Sequence, residues 1–177
     1  MQPKHAFVDE STVRGYLLAA VLLPASALVA SRRQLRQLVL PGQRRIHFTK
    51  ERDDRRQRIL DVIVTLKPHV IIYDATSHSD ARKGRALCLT QLIADLTEAR
   101  AERVVIETDD AAIASDRAVL YEAVRSYGVE DSLRYDHLRA REEVLLALAD
   151  AVAWCWNKGG KWRSRIERHM VTTVHRL

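Results

Sequence analysis

Acidic side chains at opposite ends of the chain interrupt apolar segments. Asp9 and Glu10 end an apolar run of strand length, and Asp150 lies in the apolar segment 145–154, whose periodicity is helical. An unpaired carboxylate among apolar neighbours is costly, and a cation held between two such groups removes that cost. We therefore expect Asp9 and Asp150 to meet around a shared cation.

Further acids follow other predicted strands or begin a predicted helix. Ligands of open α/β sheets gather where strands end, so acids at several strand ends are expected to converge. Asp74 ends the predicted strand 70–73, Asp110 follows the predicted strand 104–106, and Glu51 lies in the first turn of the predicted helix 50–66. The candidate metal ligands are Asp9, Glu51, Glu107, Asp109 and Asp150.

Such a set of carboxylates is suited to Mg²⁺ or Mn²⁺, which prefer oxygen ligands and retain waters for substrate phosphates. Two such ions about 3.5–4 Å apart can activate a water and stabilise the leaving oxygen in phosphodiester cleavage. The chemistry then needs no side-chain nucleophile. Ser11 lacks a matched His, and Cys88 and Cys155 fall in apolar helical contexts that indicate buried, reduced thiols of a cytoplasmic protein.

Each acid also has a purely structural interpretation. Glu10 is more simply a solvated turn residue, and Glu51 in a first turn could oppose the helix dipole. Asp74, Asp109 and Asp110 are typical of loops that follow strands. Asp9 and Asp150 fit this interpretation least well, although Asp150 could pair with Arg139 or Arg141.

Composition adds a candidate partner. The 177 residues contain 29 Lys+Arg against 23 Asp+Glu, a net charge of +6 dominated by Arg. Arg favours bidentate contact with phosphate, so nucleic acid is the expected partner, unless the Arg content only reflects a GC-rich genome. His47, Lys50 and Arg55 are the candidate contacts, although a lone His in a strand is more often structural.

The apolar run 15–30 resembles a signal peptide, but it is split by Pro24 and is shorter than the roughly 18–20 residues that span a bilayer. We interpret it as a buried strand followed by a helix, and expect no membrane association. The chain length predicts a single domain, 1–177, with a basic helical extension from about residue 157. A homodimer is one option for its oligomeric state.

Hydrophobic periodicity predicts a hairpin of two strands, a third strand, and then strands alternating with helices. Short, fully apolar strands of this kind imply a mixed α/β sheet with helices on both faces. The predicted strands are 6–9, 15–23, 44–48, 70–73, 104–106 and an edge strand 132–135. The predicted helices are 25–38, 50–66, 81–100, 118–126, 140–156 and part of 158–168.

Three short motifs resemble the bacterial family known as domain of unknown function 3800. They are Phe7-Val8-Asp9-Glu10-Ser11, His47-Phe48-Thr49-Lys50-Glu51 and Ala149-Asp150-Ala151-Val152-Ala153, in the family's order. Two positions depart from its pattern, with Thr12 where a Gly is usual and Leu148 near the place of a Gln.

The resemblance implies a ribonuclease H-like fold, with a mixed sheet of about five strands covered by helices on both faces. It implies that Asp9 is the first-strand ligand, Glu51 the first-helix acid and Asp150 the acid of the terminal helix. The remaining acid stays open between Asp74 and the cluster that begins at Glu107.

The function predicted from these observations is a divalent-metal-dependent nuclease, with Asp9, Glu51, Glu107 and Asp150 as its catalytic acids and Mg²⁺ or Mn²⁺ as its cofactor. Two alternatives remain. One is a non-catalytic nucleic-acid-binding module, in which residues 118–126 and the segment after Gly128 could form a helix-turn-helix. The other is an inert ribonuclease H-like accessory protein of a mobile-element or defence system.

Overall fold

A computed structural model of the protein describes residues 4–177, and its centre is one mixed sheet. The six strands lie in the order β5-β4-β1-β2-β3-β6. Their bounds are β1 Lys4–Ser11, β2 Tyr16–Pro24, β3 His69–Ala75, β4 Ala101–Glu107, β5 Arg134–Leu138 and β6 Val171–Arg176. The sheet therefore has one strand more than the five expected.

The predicted hairpin forms the middle of this sheet. β1 and β2 pair antiparallel, with Asp9 opposite Ala19, and Gly15 in the connecting turn has a φ of +99°. β2 is antiparallel to β3, whereas β1–β4, β4–β5 and β3–β6 are parallel pairs. Five strands consequently end at the same edge of the sheet, and β2 alone runs the other way.

Helices cover both faces, as the apolar strands required. Alternate side chains of each strand point to opposite faces, so Phe7 packs with one layer of helices while Ala6 and Val8 pack with the other. The first layer contains α1 Leu28–Leu38, α2 Asp53–Thr65, α5 Leu146–Lys158 and α6 Gly160–His169. The second contains α3 Ala81–Glu98 and α4 Ile113–Ser126.

Four local predictions are wrong. Residues 44–48 form no strand in this structure. They belong to a loop that leads into the short 3-10 helix Phe48–Lys50, and the loop buries its own Ile46 and Phe48 side chains in the core. α2 begins at Asp53, not at residue 50, so Thr49 does not cap it. The sequence predicts no strand after residue 168, yet β6 forms there and pairs with β3. The segment after Gly128 forms β5, which excludes a helix-turn-helix there.

The remaining elements are confirmed, although α4 begins five residues before its predicted start and α5 begins six residues after its own. α5 is apolar on nearly every side and lies against β1 and β2, so its acid must face the sheet or a neighbouring loop. Both cysteines are free and buried, and burial raises the pKa of each thiol to about 12. No helix in the described range 4–177 is long and apolar enough to cross a membrane.

A buried ionic network fixes the second helical layer to the sheet. Arg85 of α3 donates to both carboxylate oxygens of Asp116 in α4, at 2.6 and 2.8 Å. His137 of β5 lies 3.0 Å from Asp116, and Arg85 also contacts Tyr16 and Glu10. Burial raises the pKa of Asp116, but the bonds from Arg85 and His137 outweigh it and the net shift is downward.

Replacing Asp116 by Ala is expected to destabilise the fold strongly. It leaves the Arg85 guanidinium buried without its main partner, a loss of roughly 3–5 kcal/mol. Urea unfolding of the Asp116→Ala variant measures this loss. The matched control is Asp136→Ala, which breaks a partly exposed pair with Arg103 and should cost at most about 1 kcal/mol.

The paired change Arg85→Met with Asp116→Leu tests the cause of that loss. It removes both buried charges together, so part of the lost stability should return, although the partly exposed Glu10 loses its contact with Arg85. An Asp116→Ala variant no less stable than the control would show that the network does not hold the layer.

Candidate acidic site

The register of the sheet brings two acids together at the edge where five strands end. β1 and β4 are parallel neighbours, with Val8 opposite Ile106. The next residues along these strands are Asp9 and Glu107, and their carboxyl groups line the same pocket.

The third acid comes from α5, which packs over β1. Asp150 joins Asp9 and Glu107 in a pocket of about 300 Å³. We call this group of three the acid cluster. The other residues that line its pocket are Glu10, Arg45, His47, Thr49, Thr108 and Asp109.

Burial of like charges makes the acid cluster electrostatically unfavourable. Burial raises the pKa of Asp9 well above its usual range, and the carboxylates of Glu107 and Asp150 raise it further. Burial likewise raises the pKa of Asp150, although the Phe48 amide and His47 oppose the shift. The site thus concentrates negative charge where water screens it poorly.

Two basic side chains from the loop between α1 and α2 face this charge. Arg45 donates to Glu107 at 3.2 Å, and Nδ1 of His47 lies 3.8 Å from Asp150. That Nδ1 atom is buried and has no hydrogen-bond partner within residues 4–177. His47 therefore faces the acid cluster with one ring nitrogen available.

The same loop also positions Asp150 directly. The backbone amide of Phe48 donates to Asp150 at 2.9 Å, and the Phe48 ring packs edge-on against Trp154. Arg56 of α2 donates to the carbonyls of Phe48 and Thr49, and its guanidinium lies 4.3 Å from the Trp154 ring centre. Arg56 thereby holds the loop against α5.

The acids of neighbouring strand ends are placed differently. Asp74 lies on β3, which is separated from β1 by β2, and its carboxylate accepts from Thr76. Asp110 pairs with Arg139 at the surface. Asp109 lines the pocket, but one of its oxygens accepts from the Ala111 amide. Glu107 is therefore the strand-end acid beside Asp9.

Two predicted site residues lie elsewhere. Glu51 precedes α2, is not among the pocket-lining residues, and its carboxylate accepts from Gln43 and Arg55. Arg55 also donates to the Leu38 carbonyl at 2.6 Å, so it ties α1 to α2 and is not presented to a ligand. The structure thus does not bring Glu51 to the acid cluster. Lys50, the residue before Glu51, is exposed.

Glu10 points away from Asp9, as alternation along a strand requires. Its carboxylate accepts from Tyr16 and contacts Arg85 on the other side of the sheet. The interpretation of Glu10 as a solvated turn residue is wrong, because it is an ion-paired strand residue. Sequence reasoning missed Arg45 and the Arg85 network. The only sequence signal for Arg45 is a positive charge two residues before His47.

The carboxylate oxygens of the acid cluster are the type of ligand that a hard divalent cation prefers. They lie at a buried strand end, and their mutual repulsion is what a cation relieves. As the side chains stand, however, no three His, Cys, Asp or Glu of residues 4–177 are arranged as a metal-binding group. A cation would need the carboxylates of the acid cluster to reorient toward it.

Comparison with solved structures supports the fold. The chain is similar to ribonuclease HII in the structure of the PCNA–ribonuclease HII complex from Archaeoglobus fulgidus, with a TM-score of 0.57 and 16% identity. The match covers 93% of this chain and 75% of that one. The fold is thus ribonuclease H-like, with six strands.

No protein-family model matches the chain, and no curated protein sequence matches it. The resemblance to domain of unknown function 3800 therefore stays a prediction.

Removing the charge of Asp9 is expected to stabilise the metal-free protein. The raised pKa of Asp9 means that stability falls as pH rises through that pKa, and Asn cannot ionise. At about pH 7 in EDTA, Asp9→Asn should therefore be measurably more stable than the parent protein.

Urea unfolding at about pH 4 and pH 7 measures this, and the difference should shrink at the lower pH, where Asp9 is protonated in the native state and increasingly so in the unfolded one. Asp110→Asn, which changes an exposed and paired carboxylate, is the control and should show no gain. A less stable Asp9→Asn protein would contradict the electrostatic account.

Proposed function

We propose that this protein is a divalent-metal-dependent nuclease that hydrolyses nucleic-acid phosphodiesters. The observation that carries the proposal is the convergence of Asp9, Glu107 and Asp150 in one pocket. The ribonuclease H-like fold also supports it. This support is by analogy only, since a fold does not determine an activity. Membership of the domain of unknown function 3800 family is part of the same proposal.

Asp9, Glu107 and Asp150 would hold the ion, with Mg²⁺ or Mn²⁺ as the expected choice for oxygen ligands. A bound ion supplies Lewis acidity and lowers the pKa of water at the scissile phosphate. The Phe48 amide keeps Asp150 oriented. His47 is placed to accept or donate a proton at its Nδ1 beside Asp150.

The distribution of charge indicates which side of the molecule meets the substrate. The segments that carry α1, α2, α5 and α6, residues 25–68 and 139–170, contain 18 Lys and Arg against 8 Asp and Glu. The segments that carry α3 and α4, residues 76–100 and 108–133, contain 6 against 9. The loop bearing Arg45 and His47 belongs to the basic layer, so phosphates are attracted to the same side as the acid cluster.

One observation favours the alternative of an inert, nucleic-acid-binding protein. Arg45 already contacts Glu107, and a guanidinium can neutralise the acid cluster in place of a metal ion. In that case Arg45 is a structural cation and the basic layer binds nucleic acid without cleavage. In the nuclease, Arg45 instead moves to a substrate phosphate.

Nuclease activity with Mn²⁺ or Mg²⁺ is expected to depend on Asp9. Purified protein should cleave labelled DNA or RNA strands, and Asp9→Asn should reduce the rate at least about a hundredfold, roughly 2.7 kcal/mol at the transition state. Asp110→Asn, the same change at an exposed paired acid, should retain full activity. Gel-resolved cleavage with and without EDTA measures both.

Thermal melting distinguishes the two functions if no cleavage is seen. A metal bound only by the native state raises stability by about 2.7 kcal/mol at a hundredfold excess over Kd. A metal-dependent increase that Asp9→Asn abolishes supports a metal site. Absence of both cleavage and this increase would contradict the nuclease and leave the inert protein.

Binding of nucleic acid is expected to depend on exposed cations of the basic layer. Arg44 and Lys50 are exposed on the loop beside the acid cluster, so Arg44→Gln with Lys50→Gln should weaken binding. The slope of log K against log salt should fall by roughly 0.7–0.9 for each phosphate that the protein no longer neutralises. Anisotropy titrations over a range of salt concentrations measure this slope.

The control is Arg117→Gln with Arg125→Gln, which removes the same charge from exposed positions on α4. This pair should leave the slope unchanged. Equal effects of the two pairs would mean that binding reflects net charge alone.

A further inference from the structure

We propose that a second pocket, between α3 and α4, receives a nucleobase of the strand whose backbone lies at the acid cluster. The cavity has a volume of about 190 Å³, the space of about six water molecules, which accommodates one heteroaromatic ring. We call it the α3–α4 pocket. This inference rests on the proposed function, because it assumes that a nucleic-acid strand binds at the acid cluster.

The α3–α4 pocket has apolar walls and a polar floor. Its walls include Leu89 and Val119, and Tyr16, Glu10 and Arg85 form polar surface within it. Tyr16 and Arg85 are themselves buried, with 2% and 6% exposure. Proteins that bind an extruded base use this combination, with apolar contact to the ring and hydrogen bonds to its polar edge.

Position links the α3–α4 pocket to the acid cluster. Glu10 and Asp109 line both pockets. Asp9 and Glu10 are consecutive residues of β1 whose side chains lie on opposite faces of the sheet. A strand that crosses this edge can therefore place a phosphate at Asp9 and the adjoining base beside Glu10.

The charges of the pocket favour a base over a phosphate. The Arg85 guanidinium is already engaged by Asp116, Glu10 and Tyr16, so it is not available to neutralise a phosphate. Glu10 and Asp109 bring two negative charges to the lining, against one positive charge from the exposed Arg82. A neutral group that donates hydrogen bonds is therefore preferred to an anion.

Glu10 provides the acceptor for such a group. The contacts that it makes with Tyr16 and Arg85 both use Oε2. A carboxylate can accept at both oxygens, so Oε1 can accept from an exocyclic amine or ring N–H of a base. Bases that carry an amine beside a ring N–H, as guanine does, satisfy this arrangement best.

An abasic scan of a short labelled strand tests the proposal in Ca²⁺, which carboxylates also bind, with gels run alongside to confirm that the strand stays intact. One nucleotide at a time is replaced by an abasic unit, and affinity is measured by fluorescence anisotropy with single-stranded DNA and RNA. For the parent protein, loss of the base at one position should weaken binding about tenfold, within the range of base–protein stacking. Other positions should lose less.

Filling the pocket should remove that position dependence. Ala112 lines the α3–α4 pocket, whereas Ala114 is exposed two residues later and does not line it. Ala112→Trp should bind the intact strand about tenfold more weakly, the same loss as removal of the stacked base, and show no further loss at the abasic position. Ala114→Trp should behave like the parent, which controls for the added indole.

Glu10→Gln supplies a second readout that a merely structural role would not change. The variant should lose preference for guanine at the sensitive position while retaining affinity for the abasic strand. A uniform abasic scan, or an identical scan for Ala112→Trp and the parent, would overturn the base pocket and leave the nuclease proposal standing. Failure of the parent to bind any strand would overturn both.

Discussion

The site depends on one constraint, which is that β1 lies directly beside β4 and ends at the same edge. Parallel pairing in that register makes Asp9 and Glu107 neighbours, and α5 adds Asp150 from above. Burying these carboxylates together is unfavourable in water-poor surroundings. The fold supplies compensating charge, since Arg45 contacts Glu107.

The loop between α1 and α2 carries this compensating charge. It has little regular structure, yet its buried Ile46 and Phe48 anchor it to the core, and Arg56 binds its carbonyls. Anchored in this way, the loop brings Arg45 and His47 to the acid cluster and directs the Phe48 amide at Asp150. Ile46 and Phe48 point into the core, whereas Arg45 and His47 line the pocket. This arrangement gives residues 44–48 the alternation of a strand, although they form a loop.

Much of the fold could be predicted from the sequence because apolar strands, helices and turns have local signatures. Asp9 and Asp150 stand out for a similar reason, since carboxylates in apolar runs conflict with their local surroundings. The choice of Glu107 over Asp74 could not be made, because it depends on strand order, and β2 separates β3 from β1. Glu51 is misplaced because the predicted start of α2 lies three residues early. The long-range pairs of Arg85 with Asp116 and of Arg45 with Glu107 leave no local pattern at all.

Alternation along β1 divides the chemistry of the molecule between its two helical layers. Asp9 faces the basic layer, where the positive charge of Arg45 opposes the repulsion among the acids. Glu10, the next residue, faces the acidic layer and is neutralised within a buried ionic network. Two adjacent carboxylates thus occupy unlike environments, one fit for a cation at a phosphate and the other for hydrogen-bond donors of a neutral ring. Under the proposed function, this single strand end contacts both the backbone and a base of the bound strand.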